Sequence, residues 1–209
     1  MADLDRSMRS SSEWTRLNLR AYNITIITED VVTFFGIPAL PQPSIHQVIL
    51  DNEEYPRGGI ANKDIRNFFF YLEQSMMIPL GKESAVADFT AHLLSLLGYD
   101  DPSNHFIRQR VDIPFDMCRG RTSAKANVCV VGRHGWIFLV VQEDKRHLNP
   151  AAPEPQLIAD AIATFQYRNA CLQRYGEQPI QAATIPGITM TGSAPTFTRS
   201  TLRKTLSVP

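Results

Sequence analysis

The sequence predicts an α/β protein: a central mixed β-sheet flanked by helices, with an N-terminal extension. Three observations predict it. Apolar residues recur at helical spacing from Asn62, from Glu83 and from Pro155. Between the second and third of these stretches lie strand-like segments at Arg110–Cys118, Asn127–Val131 and Trp136–Gln142. Within the last, Ile137 to Val141 is apolar without alternation, the mark of a strand covered on both faces.

Taken in order, residues 1–60 read as the extension, broken by Pro38, Pro41 and Pro43, with a short β-branched strand at Ile24–Ile27. The core is expected over 61–197. Asn62 caps a helix that turns Ile65, Phe69, Leu72 and Met76 inward and stops at Pro79. A second helix opens near Glu83, carries Val86, Phe89, Leu93 and Leu97, and closes at Gly98. After the three strands, Pro155–Arg174 forms a helix facing Leu157, Ile158, Ala161, Ile162, Phe165 and Leu172 inward, and Ile185–Met190 adds a strand. Residues 198–209 read as an irregular tail.

Composition bounds the function. The chain has 209 residues, 44% of them hydrophobic and 20% charged, which suits a globular domain and excludes wholesale disorder. Basic and acidic residues balance at 21 each, so bulk positive charge does not coat a polyanion. Cys118, Cys129 and Cys171 are too widely spaced for a zinc CxxC pair and too few for a disulfide framework. With no membrane-length apolar run and a polar beginning, the expected location is intracellular, nuclear or cytoplasmic.

Chemistry concentrates where the buried strand ends, at Glu143-Asp144-Lys145. Strand alternation puts Glu143 and Lys145 on one side. A carboxylate beside an ammonium suits metal-assisted phosphodiester hydrolysis: the carboxylate holds Mg²⁺ or Mn²⁺ and the lysine orients or deprotonates the attacking water. The preceding hairpin decides whether Asn127 joins them. A two-residue loop Arg133-His134, or a four-residue loop Gly132–Gly135, sets Asn127 against Val140, away from Glu143. A three-residue loop Arg133-His134-Gly135 sets it opposite Val141, on the face of Glu143. Gly135 suits the left-handed last position of that loop, so the three-residue register is preferred.

The helix led by Glu83, the hairpin, Glu143-Asp144-Lys145 and the helix bearing Gln156 together resemble the PD-(D/E)XK nuclease superfamily. The stretch with VQEDKRHL and PEPQLIADAIATF is similar to uncharacterised fungal proteins of that class. The resemblance covers residues 60–197 and implies a restriction-endonuclease-like core acting on nucleic acid with Mg²⁺ or Mn²⁺. It implies that Glu83 is the helical acid, Glu143 the metal-binding acid, Lys145 the catalytic lysine and Gln156 an auxiliary residue. Asn127 stands where the family pattern has aspartate, which removes one negative charge from the site. The competing expectation is therefore a catalytically inactive binding module on the same fold.

Between Ser103 and Arg146 eight basic residues face four acids. Arg108, Arg110, Arg119 and Lys125 are the expected phosphate-backbone contacts, on DNA ahead of RNA. An ordinary mixed surface accounts for the same residues equally well. No membrane partner is expected, and a homodimer stays open.

Overall fold

The computed structural model describes residues 7–77, 85–101, 103–143 and 152–204. Among these, five strands form one mixed sheet in the order β1 (His105–Met117), β2 (Gly120–Gly132), β3 (Ile137–Glu143), β4 (Ala182–Thr191) and β5 (Ala194–Arg203). All neighbours are antiparallel except β3 and β4. That parallel pair requires a crossover, supplied by the long helix α6 (Glu154–Arg174). Among the described residues no helix is long and apolar enough to cross a membrane.

Ahead of the sheet lie short helices α1 (Arg16–Ala21), α2 (Val31–Phe35) and α3 (Gln47–Leu50), then α4 (Lys63–Met76) and α5 (Ala85–Leu96). Asn62 does cap α4: its Oδ1 accepts from Asp64 N at 2.8 Å and Ile65 N at 3.2 Å. The buried stripe of α4 is Ile65, Phe68, Phe69 and Ser75, whereas Met76, expected inside, is 61% exposed. Helix α5 ends in a left-handed Gly98, with Tyr99 N bonded to Leu94 O. Pro79 and Glu83 lie outside the described residues.

The sheet is covered on both sides. Helix α6 packs with Ile113, Phe115, Ala124, Ala126, Cys129 and Val140. Helices α4 and α5 pack with Val128, Val130, Leu139, Val141 and Met190 on the other face. One hairpin feeds both layers because its alternation breaks at a single rung. Arg110 has φ +53°, and the ladder steps from Gln109↔Val128 to Val111↔Ala126 without pairing Arg110 or Asn127. Beyond that rung the inward residues change face: Ile107 lies with the α4–α5 layer, Ile113 with the α6 layer.

Three expectations need correction. The first part of the 1–60 extension belongs to the main core. Trp14 and Leu19 are buried against it, and Trp14 stacks on Tyr22 at 5.5 Å. The polar Ser10–Glu13 and Thr15–Asn18 capping boxes hide this role in the sequence. Ile24–Ile27 forms no strand; Ile26 and Ile27 are exposed, because β-branched residues need a partner strand that the sheet does not offer there. Residues 198–203 are not irregular but complete β5, an edge strand rich in β-branched threonine. Its outer rim is covered by α2: Arg199 bonds Glu29 at 2.6 Å and Phe34 O at 3.0 Å, and Phe35 meets Phe197.

Because Trp14 fills the α6 layer, Trp14→Ala should cost about 3–5 kcal/mol in urea unfolding. Ile27→Ala, in the exposed part of the same segment, should change stability by less than about 0.5 kcal/mol. Equal effects would show that residues 10–24 fold apart from the sheet.

Candidate functional site at the carboxyl end of the interior strand

Strand β3 lies between β2 and β4, and everything from Leu139 to Glu143 is buried. Alternation sends Val140 and Gln142 toward α6, and Val141 and Glu143 toward the α4–α5 layer. The two polar residues that end the strand therefore serve opposite faces.

On the α6 face the Gln142 carboxamide ties three elements together. Its Nε2 donates to Lys125 O on β2 at 2.7 Å and to the Asp160 carboxyl on α6. Its Oε1 accepts from Gln156 Nε2 at 3.2 Å. Gln156, Asp160 and Thr164 recur every fourth residue, so they form one polar stripe along the inward side of α6. Ser11 closes the layer from the N-terminal segment, accepting from Lys125 N at 3.3 Å. Asp160 and Thr164 are fully buried, and Asp160 Oδ1 and Thr164 Oγ1 have no hydrogen-bond partner among the described residues. Burial pushes the Asp160 carboxyl up to about 7, and hydrogen bonds from Ser11 and Gln142 offset only part of that rise. Cys129, on the same face, is likewise a buried neutral thiol, pushed up to about 11 by desolvation.

On the other face Glu143 is 9% exposed and pairs with Met190 of β4. The hairpin before β3 does use the three-residue loop: Gly132 N bonds Trp136 O at 2.8 Å and Gly135 has φ +79°. The register that the loop should have set is nevertheless corrected by a bulge. Val131 pairs with Ile137 but Val130 pairs with Leu139, leaving Phe138 as the extra residue. The Phe138 ring lies over Gly132, where a Cβ would sit only 2.7 Å from it. Continuing the ladder from Val128↔Val141 puts Asn127 opposite Gln142 rather than Val141. Its carboxamide oxygen accepts from Glu143 N at 3.2 Å, standing in for a backbone carbonyl at the ladder's end. The expected pairing of Asn127 with Val141 is therefore not built, and the described contact between the two site residues is this bond from the Asn127 oxygen to the Glu143 backbone.

Gln156, too, is placed away from Glu143, since its amide goes to Gln142 on the α6 side. Glu83 and Lys145 lie outside the described residues, as do Asp144 and His147. Among the described residues no group of three or more His, Cys, Asp or Glu side chains could hold a metal ion. Of the sequence-expected ligands among the described residues, Glu143 brings a carboxylate and Asn127 a neutral amide oxygen that also accepts from a backbone N–H.

The expected phosphate contacts are spread out. Arg108 and Arg110 lie on edge strand β1, and Arg119, with φ +64°, forms the β1–β2 turn beyond Met117, itself about 23 Å along the strand from Arg110 at about 3.3 Å per residue. Lys125 stands opposite Asp112, and Arg121 opposite Asp116. Facing acids of this kind give the distal hairpin a mixed ladder rather than a basic groove.

Sequence reasoning missed Gln142, Asp160, Thr164 and Ser11. The first three left a signal: an amide in an apolar strand, and three polar residues at i, i+4 and i+8 on the apolar side of a helix. Set beside known proteins, the chain matches no protein-family model, no curated protein and no solved structure.

The Asp160 carboxyl yields a pH signature. Its folded pKa, about 7, lies above the ordinary 3.8, so the folded state keeps a proton that the unfolded state releases between these values. Its contribution is fully present below about pH 4, falls by about 1.4 kcal/mol per pH unit, and levels off above about pH 7. Asp160→Asn, which mimics the neutral acid, should match the parent at pH 4 and exceed its stability at pH 8. Parallel unfolding curves across that range would rule out a proton held at Asp160.

Proposed function

We propose that the chain is a nuclease-fold domain of the PD-(D/E)XK type, acting on nucleic acid phosphodiesters with Mg²⁺ or Mn²⁺. The observation that carries this reading is Glu143: an acid at the carboxyl end of a buried strand with a parallel neighbour. In such sheets the region beyond these strand ends is where ligands collect. The chain order supports it as well. A helix pair precedes a three-strand meander, and α6 returns to lay β4 parallel to the meander's last strand, as a restriction-endonuclease-like core implies.

In this reading Glu143 would hold the metal together with Glu83. A bound divalent ion supplies Lewis acidity at the phosphoryl oxygen. Lys145 would orient the attacking water. Gln156 acts indirectly: it fixes Gln142 and thereby the backbone of the residue next to Glu143. A second reading, an inactive binding module on the same fold, draws support from Asn127. Its oxygen is neutral and accepts from Glu143 N, so position 127 adds no charge to the site.

The test is cleavage of labelled DNA and RNA with Mg²⁺ or Mn²⁺ against EDTA. Metal-dependent cleavage should fall by about 10²–10⁴ in both Glu143→Gln and Lys145→Ala, the range a positioned acid–base group supplies. Cleavage untouched by either change would remove the site from the reaction. Nucleic-acid binding without any cleavage would favour the inactive module.

A further inference from the structure

A second polar surface lies at the other end of β3, roughly 20 Å along the strand from Glu143. Here the β2–β3 turn meets the last turns of α6 and the first rungs of β1. The Arg168 guanidinium sits over the Trp136 ring, 5.3 Å from its centroid. His134 is tilted against Trp136 at 5.9 Å and stands edge-on to Tyr175 at 5.6 Å. His134 is exposed and Tyr175 is 62% exposed. Arg108 and Arg174, both exposed, act electrostatically on the Tyr167 phenol beside this group. The Tyr167 hydroxyl in turn lies 3.7 Å from where a Cβ on Gly135 would be, so that phenol stands at the same turn as the rings.

Packing alone gives this arrangement little return. Trp136 Nε1 and Arg168 Nε are buried with no hydrogen-bond partner among the described residues, and an unpaired N–H costs stability. What the surface offers is a ladder of ring faces and edges interleaved with guanidinium groups. Planar bases stack on such rings, and the arginines meet the phosphates between them. A duplex hides its base faces and cannot use the rings.

We propose that His134, Trp136 and Tyr175, with Arg108, Arg168 and Arg174, form a binding surface for single-stranded nucleic acid. The surface is separate from the Glu143 site and needs no metal, so its test is independent of cleavage. An acidic peptide would satisfy the arginines but not the rings.

The experiment is fluorescence anisotropy in EDTA with labelled oligo(dT) and oligo(U) of about 16 nucleotides, the upper site size of compact single-strand binders. The wild type should prefer single strands to a duplex of equal length and weaken as salt rises. Tyr175→Ala and His134→Ala should each weaken binding about tenfold, within the range for loss of one stacked base. Arg174→Glu should weaken it and flatten the salt dependence, and Ile27→Ala, on the exposed N-terminal segment, should leave it unchanged. Thermal unfolding of each variant confirms that the exposed substitutions leave the fold intact. Wild-type affinity retained in Tyr175→Ala and Arg174→Glu, tighter binding of the duplex, or displacement by polyglutamate as effective as by oligonucleotide would overturn the proposal.

Discussion

The Gln142 carboxamide is the constraint on which the site's architecture depends. An interior strand has no water to satisfy a polar side chain, so an amide there must find its partners within the protein. Gln142 uses both amide hydrogens and its oxygen, and the three partners come from β2 and two successive turns of α6. One neutral group thus sets how far α6 stands from the sheet and in what rotation. Removing it would orphan a backbone carbonyl, a carboxyl and a second amide together, which makes the layer cooperative. The buried Asp160 follows from the same geometry. Buried beside a neutral amide and the Ser11 hydroxyl, its protonated form is the one the layer accommodates up to about pH 7.

The two-sided character of β3 comes from two local irregularities in its neighbours. The unpaired rung at Arg110 and Asn127 lets one hairpin present apolar residues to both helical layers. The Phe138 bulge then moves the β2–β3 register by one residue, and with a side-chain period of two this reverses which residues share a face. The consequence falls on adjacent positions. Gln142 becomes the structural polar group of the α6 layer, while Glu143 is left as the acid of the opposite layer.

Much of this fold was legible because its signals are periodic. Asn62 before a 3.6-residue stripe, Gly98 after another, and the unbroken run Ile137–Val141 each specify an element through local chemistry. The three-residue turn was legible through Gly135. The register was not, since Phe138 looks like any other apolar strand residue and its displacement depends on the space above Gly132. Strand β5 escaped because a half-exposed edge strand of threonine, serine and arginine reads as loop until α2 is seen covering it. For the site, the acid at the strand end was readable from charge after an apolar run, whereas Gln142 and Asp160 become visible only once strand and helix faces are matched.

Position 127 links these structural facts to chemistry. Its side-chain oxygen is one backbone N–H away from Glu143, at the place where the β2–β3 ladder ends. A carboxylate there would accept from the same N–H and add a negative charge beside the Glu143 backbone, a charge that a bound divalent cation would offset. An amide keeps the same hydrogen bond with no charge to neutralise. The fold can therefore hold Glu143 in place without metal, and the residue at 127 separates a scaffold that needs a cation from one that only tolerates it.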